Sequence, residues 1–246
     1  MEIREHFVKS GNWLFRWRSF LPLAMIVLVL LGLNDFRYPS GNHSLDLEWE
    51  IFCFAIGLAG LAVRALTVGC VTDGTSGRNT RDQEARVLNT TGMYSVVRHP
   101  LYLGNYLMWL AVILLTRTWY VPTVMTLAFW LYYERIMFAE EAFLRERFGE
   151  EFSSWARRTP AILPAFKAWK SPSLPFSVRT VLRREYSGLF GLVVAFTVVE
   201  MMEDFAATGS IQIDRLWATV FGCTLVVYLL LRTLKRRTGL LNVEGR

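Results

Sequence analysis

Arg98, His99 and the pair Glu140-Glu141 are the residues in this chain best placed to do chemistry. The first two stand in Arg98-His99-Pro100-Leu101-Tyr102-Leu103-Gly104-Asn105, where a polar segment runs straight into an apolar one. Pro100 suits the first turn of a helix, where its missing N–H has no intrahelical partner to lose. Arg98 and His99 then lie at the helix mouth, where free N–H groups and the helix dipole favour an anion. Gly104, one turn in, removes a side chain and lets a neighbour approach the backbone closely. The apolar hairpin that follows returns the chain to Glu140-Glu141, so that an arginine–histidine pair and a glutamate pair meet at one membrane surface. A carboxylate or phosphate bound at such a site is already anionic at neutral pH and needs no general base, whereas an amine or phenol would need His99 or a glutamate to take its proton before it could act as a nucleophile.

Further candidates follow along the same hairpin. Asn105, Tyr106 and Trp109 continue a stripe begun by Tyr102. Asn105, at shallow membrane depth, needs a polar partner. The stripe reads as the wall of a lateral opening for a substrate, with interhelical packing as the plainer alternative. Arg135, near the end of the second hairpin arm, either pairs with Glu134 or Glu141 or faces substrate; it joins Arg98 as a candidate catalytic residue.

The elements that must position these residues are apolar helices. The sequence is 53% hydrophobic and only 20% charged, and its apolar residues gather in long runs. That pattern reads as an all-α, polytopic membrane helix bundle. Spans are expected at 13–33, 49–69, 101–115, 119–137, 187–202 and 216–234. The third run is short, about 22 Å at roughly 1.5 Å per residue. Residues 138–158 turn charge-rich and amphipathic, a helix lying on the membrane or over a site; the Pro160–Pro164 stretch breaks it. Residues 80–88 read as a short helix capped by Thr80, with Gly92 ending the segment after it, and 167–186 as a basic linker. All Lys and Arg except Arg37, Arg117, Arg135 and Arg215 fall in segments 1–18, 64–99, 139–186 and 232–246. The positive-inside rule then places both termini, the Arg-His pair and the glutamate pair in the cytoplasm, in a plasma or inner membrane.

The net charge of +6 belongs to loops beside anionic lipid rather than to a nucleic-acid surface. Cys53, Cys70 and Cys223 lie in or beside apolar runs and form no disulfide framework. No Cys/His cluster has metal-ligand spacing, so no metal is expected. No glycine fingerprint follows a strand, which argues against the soluble dinucleotide-type fold.

Several motifs now stand in order. After Arg98-His99-Pro100-Leu101-Tyr102-Leu103-Gly104 and Glu140-Glu141 come Phe148-Gly149-Glu150-Glu151-Phe152, Trp155, and Pro160-x-x-Leu163-Pro164. The set resembles the isoprenylcysteine carboxyl methyltransferase and phospholipid methyltransferase superfamily over residues 92–164. The resemblance implies one integral-membrane methyltransferase domain over 1–246, with S-adenosylmethionine as methyl donor and a lipid or lipidated acceptor from the bilayer. It implies cofactor contacts from Arg98, His99, Pro100, Leu101, Tyr102, Gly104, Glu140 and Glu141, and a cytosolic lid from 148–152 and 160–164. The chain departs from the isoprenylcysteine enzymes in having only two adjacent glutamates and in adding the helix pair 187–234. A membrane lipid or sterol reductase using NADPH is the second reading, because some such enzymes share an Arg-x-Pro-x-Tyr-x-Gly helix opening. A non-enzymatic membrane scaffold is the third.

Overall fold

Apolar runs in this chain become helices because their backbone polar groups can be satisfied only internally. The computed structural model describes residues 3–17, 21–33, 36, 43–75, 85–211 and 213–246, and among them every extended element is helical. The order is α1 (Ile3–Trp17), α2 (Leu21–Leu33), α3 (His43–Val68), α4 (Met93–Val96), α5 (Pro100–Leu114), α6 (Tyr120–Arg158), α7 (Val178–Thr208) and α8 (Arg215–Arg237), with a 3-10 turn at Phe166–Ala168. Among the described residues, two helices are long and apolar enough to cross a membrane, Asp46–Val68 and Arg215–Arg237; Pro100–Leu114 is apolar but shorter. The expected fourth and fifth spans sit inside longer helices that also carry charge: α6 holds Glu140, Glu141 and the Arg-Glu run beyond, and α7 holds Glu185, Glu200 and Glu203. Along α8, Trp217 is buried while Val226, Leu229 and Leu230 are exposed, a distribution suited to lipid rather than water.

Several boundaries differ from those expected. The polar N-terminal residues are helical from Ile3, because Phe7 packs edge-on against Phe138 of α6 and gives them an apolar partner. The fourth run and the amphipathic segment form one helix, α6, of 39 residues. Up to Gly149 it runs about 44 Å at roughly 1.5 Å per residue, apolar in its first half and charge-rich in its second. Its interruption falls at Gly149, where φ is +53°, a value that glycine adopts without a Cβ penalty. The basic linker ends early, at α7, where Ser177 caps the helix by accepting from Thr180 N. Residues 85–88 are not helical, and the rest of the helix expected at 80–88 lies outside the described residues. Gly92 opens α4 rather than closing a segment.

α3 and α5 cross closely at Gly60 and Gly104. A Cβ on Gly104 would lie 2.7 Å from Gly60 O and against Arg64 Cγ. Tyr106, Phe129 and Tyr133 fill the α5–α6 interface with tilted and stacked rings. Among α3, α7 and α8, Phe54 meets Phe196 and Trp217 edge-on, and those two rings lie tilted against each other. Burying rings of this size is the main stabilising contribution the core can make.

Candidate active site

The mouth of α5 is held by a backbone strap. Beyond Gly149 the chain finishes α6 and runs back along residues 92–98. Gly92 N donates to Lys170 O at 2.9 Å, Ala165 N to Val96 O at 3.0 Å, and Arg98 N to Pro160 O at 2.8 Å. Trp155 Nε1 adds a bond to Tyr94 O at 3.1 Å. The expected lid segment 160–164 therefore flanks the Arg-His motif, with Leu163 left exposed. The Pro residues suit it, since the strap spends few N–H groups on pairing.

Arg98 closes the end of α6. Its Nη1 donates to Ala156 O at 2.7 Å and Thr159 O at 2.9 Å, carbonyls that a helix end leaves unpaired. Its Nε donates to Glu141 Oε1 at 2.8 Å. Nη2 has no acceptor among the described residues. His99 does not cap α5 with its side chain; its carbonyl accepts from Tyr102 N and Leu103 N instead. The ring lies between the two carboxylates, with Nε2 3.0 Å from Glu141 Oε1 and Nδ1 3.6 Å from Glu140 Oε2. It stacks on Tyr102, whose hydroxyl donates to Glu140 Oε1 at 2.6 Å. Adjacent glutamates on one helix thus serve one histidine from both sides.

The charges are coupled. Burial works to lower the His99 pKa, but the hydrogen bonds and charges of Glu140 and Glu141 outweigh it and hold the ring above its usual 6.5. Burial likewise works to raise Glu141, and His99 and Arg98 together hold it below 4.5. Burial and the Glu140 charge push the Tyr94 phenol up, so it stays neutral.

These groups line one cavity of about 610 Å³, within the size range of small-molecule sites. Its other wall joins Asn105 to residues that no sequence motif marks. Arg64 of α3 donates to both oxygens of Glu185, at 2.7 and 2.8 Å, and to Asn105 Oδ1 at 2.5 Å. Arg183, Arg184, Lys235 and Arg246 stand around it, contributed by the C-terminal helix pair and the tail. An arginine inside an apolar span and a lone acid in a basic stretch were the available signals; nothing in the sequence pairs residues so far apart.

The remaining expected residues are distributed unevenly. Pro100, Leu101, Tyr102 and Asn105 line the cavity. Gly104 is turned to α3, so the neighbour it admits is a helix rather than a cofactor. Tyr106 hydrogen-bonds Thr126 at 3.1 Å and packs on Trp130, and Trp109 packs into the core; both are off the cavity wall. Arg135 is turned away as well, stacking at 3.9 Å over Phe7 of α1 and bonding Ser10. It stands two residues after the cavity-facing Tyr133, about 200° around a helix of 3.6 residues per turn.

Among the described residues the scaffold is helical, with two long apolar helices and an Arg-His/Glu-Glu cavity at the mouth of α5. Residues 52–151 match the family model described as phospholipid methyltransferase. The chain is 41% identical over 164 residues to the cobalt-zinc-cadmium resistance protein CzcN of Cupriavidus metallidurans, covering 66% of this chain and 70% of that one. It is 30% identical over 159 residues to the nickel-cobalt-cadmium resistance protein NccN of Alcaligenes xylosoxydans xylosoxydans, covering 64% and 67%. It is 29% identical over 150 residues to the protein-S-isoprenylcysteine O-methyltransferase B of Arabidopsis thaliana, covering 58% and 72%. No solved structure matches the chain significantly. The chain belongs to the isoprenylcysteine carboxyl methyltransferase and phospholipid methyltransferase superfamily.

Proposed function

We propose that the protein transfers a methyl group from S-adenosylmethionine to an anionic headgroup of a membrane lipid or lipidated acceptor. The observation that carries this reading is a single cavity with two unlike walls. On one wall, Arg98 keeps Nη2 for a carboxylate, Glu140 and Glu141 offer anionic oxygens, and Tyr102 and Trp155 offer aromatic faces. That donor set fits the amino-acid, sulfonium and adenosine parts of the cofactor. On the other wall, Arg64, Arg183, Arg184 and Lys235 make a cationic rim suited to a phosphate or carboxylate.

S-adenosylmethionine supplies an electrophilic methyl on a cationic sulfur. The chain's own residues have a positioning task, since an anionic oxygen attacks without losing a proton. Arg64, fixed by Glu185 and Asn105, is a rigid anchor for the headgroup. Arg98, fixed by two carbonyls and Glu141, is the corresponding anchor for the cofactor. Holding both reactants in line is worth up to roughly 7–11 kcal/mol of the barrier. The Glu140–His99–Glu141 cluster completes the cofactor wall and needs no proton transfer in the reaction.

The reading includes six spans with both termini and the cavity mouth in the cytoplasm of a plasma or inner membrane, where the soluble cofactor is available. Titration of the purified protein with S-adenosylhomocysteine and, separately, with NADPH tests it. We expect S-adenosylhomocysteine to bind and NADPH not to; the reverse would establish the reductase reading, and binding of neither the scaffold. The names of the first two relatives indicate where to seek the acceptor: lipid extracts from cells grown with cobalt, zinc or cadmium, assayed with radiolabelled methyl donor.

A further inference from the structure

Three buried carboxylates meet at the end of the bundle opposite the cavity. Asp46 and Glu50 stand one turn apart on α3, and Glu203 comes from α7. One carboxylate oxygen from each lies within 4.8 Å of the others, and the residues are 2%, 4% and 2% exposed. Two are oriented by outside donors. Arg117 Nη2, from the α5–α6 turn, donates to Asp46 Oδ1 at 2.5 Å, and Trp217 Nε1 of α8 donates to Glu50 Oε2 at 2.7 Å. Glu203 is different: its Oε1 is buried and accepts no hydrogen bond. Glu200, one turn earlier on the same face, has a second such oxygen, Oε2.

This arrangement is costly as it stands. An unpartnered carboxylate oxygen in a low-dielectric interior loses its hydration without compensation, and two further carboxylates beside it add repulsion. Arg117 is bridged to Asp46 and leaves the buried Glu203 Oε1 without a hydrogen bond.

We propose that Asp46, Glu50 and Glu203 form a binding site for a hard divalent cation. The donor set is all oxygen, which suits magnesium, manganese and calcium better than thiophilic metals. The spacing agrees: two oxygens on one ion at about 2.4 Å can be at most about 4.8 Å apart. The Trp217 and Arg117 bonds play the part that outer partners play for ligating carboxylates, fixing their orientation. A cation here would tie α3 and α7 together, with α8 and the α5–α6 turn held through Trp217 and Arg117. The expectation that the chain holds no metal rested on Cys/His spacing, to which a carboxylate trio split between positions 46–50 and 203 is invisible. The inference is independent of the methyl-transfer reading.

The test uses the full chain in detergent, stripped with EDTA and desalted. Manganese binding is followed by loss of the free Mn²⁺ electron paramagnetic resonance signal, with calcium, magnesium, zinc and cobalt as competitors. We expect one Mn²⁺ per chain, displaced by calcium or magnesium at lower concentration than by zinc or cobalt. Glu203→Gln should weaken it at least tenfold, whereas Glu140→Gln, at the cavity, should leave it unchanged. In a separate measurement that needs no variant, Mn²⁺ should raise the melting temperature of the wild-type chain and EDTA should lower it. No retained Mn²⁺ with a cation-independent melting temperature would overturn the proposal. So would binding that Glu140→Gln abolishes and Glu203→Gln spares. Preference for zinc or cobalt over calcium and magnesium would overturn the assignment of a hard cation.

Discussion

Replacing Glu141 with Gln should be among the most damaging isosteric changes available to this protein. Glu141 Oε1 accepts from Arg98 Nε at 2.8 Å and from His99 Nε2 at 3.0 Å. Each is a charge-assisted bond of roughly 1.5–3 kcal/mol. Glutamine has the same shape and can still accept one bond as a neutral group. It leaves the Arg98 and His99 charges facing each other with one counter-charge fewer. The side chains are 18–20% exposed for the arginine–glutamate pair, so solvent screening removes part of the loss, and about 2–3 kcal/mol of stability should disappear. Arg98 remains pinned by the Ala156 and Thr159 carbonyls. Cofactor affinity should therefore fall by about tenfold rather than vanish, about 1.4 kcal/mol. Denaturant unfolding in detergent and titration with S-adenosylhomocysteine measure the two effects. The matched control is Glu150→Gln, whose partner Arg157 is at 2.6 Å but which is mostly exposed; it should change neither. Equal effects of the two substitutions would refute the reasoning, because burial would then have no bearing on the strength of the bond.

Other predictions rest on separate observations. His99 is held above 6.5, so its contribution is complete below about pH 6.5 and is lost as pH rises through the higher folded value; Glu141, held below 4.5, contributes above pH 4.5 and loses that as pH falls through its folded value. Stability should accordingly decline on the alkaline side in the wild type and more weakly in His99→Gln, measured by unfolding across pH 5–9. Gly104→Ala places a Cβ 2.7 Å from Gly60 O and forces α3 and α5 apart; we expect a loss of about 1–3 kcal/mol and weaker acceptor turnover through displacement of Arg64, and an unchanged melting temperature would contradict the close crossing. Tyr106→Phe removes only the Thr126 bond and should leave KM for cofactor and acceptor within twofold, whereas a large KM change would restore the residue to the substrate path. Cysteines at Trp119 and Glu150, both exposed, should label oppositely with an impermeant thiol reagent in intact cells, the first from outside only; labelling of the second alone would invert the proposed topology.

Much of this protein is fixed by local pattern. The apolar runs specify helices because the alternative is an unpaired backbone in lipid. The Arg98-His99-Pro100 opening and the Glu140-Glu141 pair were legible as one cluster, because two apolar arms joined by a tight turn fold back on each other and bring their far ends together. The short turn at Thr116-Arg117-Thr118 is local too, with Arg117 at φ +54°. What periodicity could not supply was helix rotation. Tyr106, Trp109 and Arg135 are at plausible heights but face other helices, because an azimuth depends on which partner supplies the better surface: Phe7 for Arg135, Trp130 for Tyr106. Gly104 is informative in both readings, yet only the crossing with Gly60 shows which neighbour it admits. The Arg64–Glu185 pair and the Asp46–Glu50–Glu203 cluster join residues more than a hundred positions apart. Each charge in an apolar run announces that a partner is needed. Which one it finds is decided only when α3, α5 and α7 pack, since burial then makes every unpaired charge costly and leaves few arrangements that satisfy them all.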